Sequence, residues 1–499
     1  MKFNKLSIGI SLSFALVLSS CEKVIDVEPE FAIEGTQLFK NLDEYQYALT
    51  GAYALFRQTG YYGSGGQTTG SWSTLPDMMS DNLVQTGEDL ANWQAQTNFV
   101  YAADDSDIEI AWQAAYYVIN QANVVLNNID QFAEIDAERV NEIKGQALAI
   151  RGMAHFDVLR YWGEDFDRNS SKLGIPYRTT PDPEAMPSRL TVKETYDNIL
   201  KDLQDAETLL DGISLNSANN RAYIDQLAVQ ALLARVSLYA KDYAAAESYS
   251  TMVIDARPLV SINAFPGIWT DATAEEVIWA VSFSAGEGTP SGGVHVASSN
   301  RNRFRPAAPL VAAYDQVNDV RFPAYIGLRQ SGNVSPPRTI YPGLPEVIGT
   351  NGSPITRTIV SKFIGRNGAL DNVVNWKVLR TGEMYLIRAE ASAQAGKEAM
   401  GLADLNALRA ARINNYTNVT LSGQDLLNAI ALERRKELFG EGHRWFDLKR
   451  TTRTLTRTDV VLGSTVLTLD PTAREWVWPI PQVEIDANAS MASQQTTGY

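Results

Sequence analysis

Two apolar stripes at helical spacing, joined by a short turn, constrain this chain more than any other feature. In residues 222–240, Leu227, Ala231, Ala234 and Leu238 recur at steps of four, three and four, which places them on one side of a helix. Lys241-Asp242-Tyr243 forms the turn, residues 244–256 make a second helix, and Pro258 stops it. Small residues at Ala234 and Ala246 let two antiparallel helices approach closely. A similar pair occupies residues 383–395 and 399–412, with Gly396 between them. No such pair buries its apolar face alone, so several must stack into a continuous core. A chain of 499 residues has the material, about three domains' worth at ~150 residues each.

A helix pair of about 34 residues ending in Pro is the tetratricopeptide pattern, although Ser250 stands where that pattern places an aromatic. Further helices are expected at 42–57, 109–129, 137–162 and 191–210. The last carries Thr191 as N-cap and Glu194 three residues on, as in a capping box. Two stretches interrupt the pattern. Residues 163–189, with Pro176, Pro181, Pro183 and Pro187, read as an extended connector. Residues 259–375 are proline-rich, and within them Val277, Trp279, Val281 and Phe283 alternate with other residues as a strand does. Loops with short strands on a rigid helical scaffold are where binding sites tend to sit.

The N-terminus has its own logic. Lys2 and Lys5 precede an apolar run at 6–18, which is short for a membrane span but right for a secretory leader. Leu18-Ser19-Ser20-Cys21 follows and resembles a bacterial lipobox, whose cysteine is lipidated. Cys21 is the chain's one cysteine, so no internal disulfide can form. Acyl chains there would tether the protein to a bilayer, with residues 21–35 as an acidic stalk.

Composition narrows the function. The formal charge of -15 argues against sequence-independent nucleic-acid binding, which needs basic side chains to displace counterions. None of His155, His295 and His443 lies in a metal-binding spacing, and with Cys21 lipidated no thiol nucleophile remains. Glu433, Glu437, His443 and Asp447 read as structural, because Arg434, Arg435, Arg444 and Lys449 lie near enough to pair with acids. Among 58 acidic residues no stretch singles out a hydrolytic carboxylate pair. No enzymatic activity, metal or cofactor is expected.

Several segments, in order, resemble the SusD/RagB family: 147–163 (ALAIRGMAHFDVLRYWG), Gly174-Ile175-Pro176, 309–321 (PLVAAYDQVNDVR), 383–394 (EMYLIRAEASAQ), 430–450 (IALERRKELFGEGHRWFDLKR) and Trp478-Pro479-Ile480-Pro481. They run from the lipobox to the terminal Gly498-Tyr499. The tail departs from the family's usual QNPGY-like ending, reading Gln494-Gln495-Thr496-Thr497-Gly498-Tyr499. The resemblance implies a mainly α, SusD-like fold of tetratricopeptide-like helix pairs with a large loop-rich insert. It implies a surface lipoprotein of the outer membrane that partners a TonB-dependent transporter and binds oligosaccharide or, in some members, peptide. It leaves a bound calcium open, although no ligand loop is readable. The expected organisation is a signal peptide at 1–20, the anchored stalk at 21–35, an N-terminal helical part with ligand loops at 36–258, the insert at 259–375, and a C-terminal helical part at 376–499.

Sugar binding asks for rings to cover C–H faces and for polar groups to meet hydroxyls. The segment 61–93 offers Tyr61, Tyr62, Trp72, Asp81, Asn82, Asn92 and Trp93 among glycines, and the resemblance places ligand contacts partly there. Each ring there has the alternative of packing in the core, and Asp81-Asn82 that of a turn or cap. Trp269 and the basic run 301–305, with Arg303 at its centre, are a second choice that hints at an anionic ligand, against the alternative of a salt-bridged loop. Trp112, Trp162, Trp376 and Trp445 are assigned to core packing. Oligosaccharide capture for a transporter is the leading reading. A peptide-binding subunit, a surface hydrolase and a tetratricopeptide adaptor are its rivals.

Overall fold

The structure, a computed structural model, describes residues 39–65, 70–86, 92–296, 301–331, 355–366, 369, 371–459 and 467–499. The expected leader, Cys21 and the stalk lie outside these residues.

Among the described residues the longer helices carry the architecture: α1 (Leu42–Leu55), α2 (Ser106–Leu126), α3 (Ala137–Trp162), α4 (Val192–Leu209), α5 (Gln226–Tyr239), α6 (Tyr243–Ala256), α7 (Thr381–Gln394), α8 (Glu398–Ala410), α9 (Gly423–Glu437) and α10 (Arg444–Arg450). From α1 to α7 each packs on the next, and α7 also packs on α8 and α9. This is the stacked arrangement that helix pairs require. Side chains start the helices: Asn41, Asp105, Asp136, Asp225 and Asp242 each accept a backbone N–H of the first turn. Thr191 does the same within a full capping box with Glu194. The helix expected from 222 therefore begins later, because Asp225 is its cap. Lys241 supplies the turn between α5 and α6 with a φ of 59°. Ser250 is buried, and its hydroxyl donates to the Ala246 carbonyl, so a self-satisfied polar group fills the expected aromatic position.

The seam between α3 and α4 is close. A Cβ at Gly145 would lie 2.7 Å from Leu210 Cγ, and one at Gly152 would lie 3.2 Å from Leu203 Cγ. Across the same seam Arg151 forks onto Asp202 at 2.7 and 2.6 Å.

Short strands fill the remainder: β1 (Leu83–Gln85), β2 (Val277–Val281), β3 (Phe304–Pro306), β4 (Ile326–Ser331), β5 (Ile355–Val360) and β6 (Trp376–Arg380). They form antiparallel two-stranded ladders, β1 with β3, β2 with β6 and β4 with β5. The alternating 277–283 segment does give a strand, but all five residues of β2 are buried. Both of its faces are covered, and Trp279 packs on Phe56 of the residues just after α1. Trp112, Trp162, Trp376 and Trp445 are all buried, Trp376 on a strand rather than a helix.

Candidate functional site

The residues singled out from sequence fall into four places. Tyr61, Tyr62 and Trp72 form one aromatic group packed against α3 and β6. The Tyr61 and Trp72 ring centroids are 4.6 Å apart, and Tyr62 lies 5.8 Å from Trp376. Asp157 of α3 holds both ends: Tyr61 donates its hydroxyl to Oδ2 at 2.7 Å, and Trp72 donates its indole N–H to the carbonyl at 3.0 Å. Burial, then the nearby Asp157 charge, pushes the Tyr61 hydroxyl well above the usual tyrosine range. These rings are 0%, 3% and 2% exposed, so none opens a face to solvent in this geometry.

Asp81 and Asn82 belong to a lock between the segment after Trp72 and the α9–α10 region. Arg444 forks onto Asp81 at 2.7 and 2.9 Å, and Arg435 reaches it at 3.2 Å. Burial opposes the Asp81 charge, but these two arginines hold the carboxyl below its usual range. Arg435 also donates to Asn82 Oδ1 at 2.8 Å, while Asn82 donates to Asp77 Oδ1 at 2.7 Å. Asp77 further accepts the N–H groups of Gly440 and Gly442. Burial outweighs these donors and pushes Asp77 up to about 6. Gly442 has a φ of 77°, and a Cβ there would lie 2.3 Å from the Trp72 carbonyl, so the close approach requires glycine. Nothing in the sequence pattern marks Asp77.

Trp93 and Arg303 come together, with Asn92 next to Trp93 in the chain. The β1–β3 ladder continues into a bond from the Thr86 N–H to the Arg303 carbonyl at 2.9 Å, which fixes Arg303 at the end of β1. The Arg303 guanidinium lies over the Trp93 ring at 5.1 Å, and Phe304 flanks that ring at 5.9 Å. Trp93 is buried, whereas Asn92 and Arg303 are half-buried. The neighbouring Arg305 is committed to a forked pair with Asp459, both bonds at 2.7 Å.

Trp269 stands apart. It packs edge-on against Tyr325 and Phe363, and the Lys362 ammonium lies 4.0 Å from its ring centroid. Beneath it is a buried ion network. Glu437 accepts from Arg321 at 2.9 Å, from Arg380 at 2.5 Å and from Arg412 at 3.1 Å. Arg412 also reaches Glu276 at 2.7 Å. Lys362 pairs with Glu441 at 2.6 Å, and burial pushes its ammonium down to about 7. Asp447 pairs with Arg434 and Arg450, both at 2.8 Å. Burial, then surrounding arginines, holds His443 well below the usual imidazole range. Each of these charges is paired within the protein's interior. Among the described residues no group of three His, Cys, Asp or Glu is placed to hold a metal ion.

Residues 54–238 match the family described as starch-binding associating with outer membrane, and residues 345–499 match the SusD family. In both segments the chain is similar to proteins of the SusD family. A SusD-like protein of Formosa agariphila is 26% identical over 503 residues, covering 91% of this chain and 92% of its own. A SusD superfamily protein from Bacteroides thetaiotaomicron superposes with a TM-score of 0.78 at 26% identity, over 91% of this chain and 99% of the other. A SusD-like carbohydrate binding protein from Bacteroides vulgatus gives 0.72 at 22% identity, over 91% and 97%. Surface glycan-binding protein A from Bacteroides fluxus gives 0.70 at 20% identity, over 94% and 100%. In this SusD frame, the segment 430–450 builds the end of α9, the turn after it and all of α10; Gly440 and Gly442 of the turn hold Asp77, and Arg435 and Arg444 of the helices hold Asp81.

Proposed function

We propose that this SusD-family chain captures an oligosaccharide and delivers it to a TonB-dependent transporter of the outer membrane, without acting on it chemically. Lipid on Cys21 is the proposed tether. Among the described residues no helix is long and apolar enough to cross a membrane, so such a tether has work to do. The family's description as starch-binding and associated with the outer membrane supports the reading, as does the glycan-binding character named for two structural relatives.

The observation that carries a site is the grouping of Asn92, Trp93 and Arg303. An indole face suits the C–H face of a pyranose, and a carboxamide and a guanidinium suit its hydroxyls. Trp93 is as buried as Trp72, at 2% exposed, so stacking on it requires the half-buried Arg303 to move off the ring. The other sequence candidates are kept as support for this group. Asp81 and Asn82 brace the strand leading into it, and Tyr61, Tyr62 and Trp72 anchor the preceding segment to α3. With Arg305 bound to Asp459, the basic run lends less weight to a peptide ligand.

Titration calorimetry of the mature protein against a panel of neutral and acidic oligosaccharides tests the reading. Binding that weakens in Trp93→Ala and Arg303→Ala supports the site, and equal affinity in both removes it. Mass spectra showing a co-purified peptide favour the rival ligand. Loss of Cys21→Ser from the membrane fraction, and co-purification of wild type with a transporter barrel, test the tether and the partner.

A further inference from the structure

A cavity of about 550 Å³ opens where the residues after α3, the α5–α6 turn, the end of α10 and the chain tail converge, and it shares no residue with the Trp93 group. Six basic side chains line it against two acidic ones, Glu164 and Asp165. Three of the six are matched: Arg450 by Glu390 and Asp447, Arg474 by Glu475 at 3.3 Å, and Lys172 by Asp165 at 3.7 Å. The remaining three are Lys241, Lys449 and Arg453, and none forms an ion pair with a carboxylate among the described residues.

Each of the three is placed by the fold. Lys241 is exposed in the left-handed turn between α5 and α6. Lys449 donates to the carbonyls of Arg160 at 2.9 Å and Gly163 at 3.3 Å, closing the end of α3; burial pushes its ammonium down to about 7, and Asp165 and Glu164 act on it without pairing with it. Arg453 reaches only the Asn428 carboxamide, at 3.4 Å. In a chain of net charge -15, Lys241 and Arg453, neither in an ion pair among the described residues, make this concavity locally favourable to an anion. The remaining walls add threonine hydroxyls at Thr472 and Thr497 and aromatic surface at Phe166 and Trp476. A flat basic patch would suit an acidic protein surface, whereas a half-open cavity with hydroxyls and rings suits a small polyol that bears negative charge.

We propose that this cavity is a second saccharide site, selective for sugars carrying carboxylate or sulfate groups. It rests on the reading that the chain binds saccharides, and it goes beyond that reading in location and ligand charge.

The test is calorimetry on the mature chain with trigalacturonate, a sulfated trisaccharide and neutral maltotriose, in wild type and in Lys241→Glu, Arg453→Glu and Arg453→Gln. Lys241 is exposed and Arg453 half-buried, so circular dichroism should show all variants folded. Lys449 is left intact because it closes a helix. At least one acidic trisaccharide should bind, weaken with added salt, and lose about tenfold or more in affinity in each charge reversal, with a smaller loss in Arg453→Gln. The two acidic sugars distinguish carboxylate from sulfate recognition. Maltotriose should respond to none of these substitutions. Acidic-sugar binding that is unchanged by the reversals and lost in Trp93→Ala overturns the inference while the glycan reading stands. Failure of both acidic sugars to bind also overturns it, and failure of maltotriose as well takes the glycan reading with it.

Discussion

The guanidinium of Arg303 lies 5.1 Å from the centroid of the Trp93 ring, a cation–π contact between a residue of the insert and one of the N-terminal part. The two side chains have unequal parts in the proposed site. Arg303 covers the ring and offers hydrogen bonds, whereas the ring alone offers stacking. Trp93→Ala should therefore reduce glycan affinity more than Arg303→Ala, by about tenfold or more, which is ~1.4 kcal/mol. Trp93→Phe should keep part of the binding. Because Trp93 is buried, its truncation also costs about 3–5 kcal/mol of stability, so affinity is to be measured well below the unfolding temperature.

The pH dependence of stability should carry the signature of Glu433. Burial alone would raise its carboxyl, but Arg321 at 2.5 Å, Lys436 at 3.8 Å and Arg409 at 2.7 Å bring it down from 4.5 to about 2. Between those values the unfolded chain holds a proton that the folded chain does not, so stability rises with pH across that window. The contribution is present above 4.5 and is lost as pH falls toward 2. Urea midpoints followed from neutral to acid pH should fall for wild type, with a shallower limb in Glu433→Gln. Identical limbs would assign the acid sensitivity to other carboxylates.

Arg412 makes a sharper stability prediction. It bridges Glu276 and Glu437, and all three side chains are fully buried. Arg412→Met strands Glu276, whose remaining basic partner is Arg380 at 3.3 Å, while Glu437 keeps Arg321 and Arg380. Breaking a buried pair from one side costs about 3–5 kcal/mol, far more than removing both partners. Chemical denaturation should show that loss in Arg412→Met and a partial recovery in Arg412→Met with Glu276→Gln.

The features legible in sequence were those set by near neighbours. Thr191 and Glu194 are three residues apart and form the capping box that their spacing implies. The stripe on α5 and the Pro258 stop after α6 needed no distant partner to be read. Residues whose fate depends on distant chain were not legible. Tyr61 and Trp72 sit in a glycine-rich segment that reads as an open loop, but Asp157, far along the chain, accepts from both and draws them into the core. Asp81 reads in sequence as a sugar contact or a turn residue, whereas its partners Arg435 and Arg444 come from the other end of the chain. Glu433 and Glu437 could be seen as one helical turn apart, but Arg321, Arg380 and Glu276 come from three other segments. Trp93 and Arg303 are each readable as candidates on their own, and only the folded chain, with the guanidinium over the ring, shows that they meet.

The α3–α4 seam sets two magnitudes against each other. Gly145 lies inside a helix, where alanine is favoured by about 0.8–1.0 kcal/mol on propensity alone. A Cβ at that position would sit 2.7 Å from Leu210 Cγ and 3.0 Å from its Cδ2, closer than packed carbons approach. Forcing a group into a filled seam costs about 1–3 kcal/mol, so the steric term should win. Gly145→Ala is expected to lower the thermal midpoint despite its better helix propensity. Leu210→Ala alone should also destabilise, because Leu210 is fully buried. Combined, the two should be less harmful than their sum, since the smaller side chain leaves room for the new methyl. A stabilised Gly145→Ala variant would mean that α4 can shift outward without penalty, and that the close approach is not what fixes glycine there.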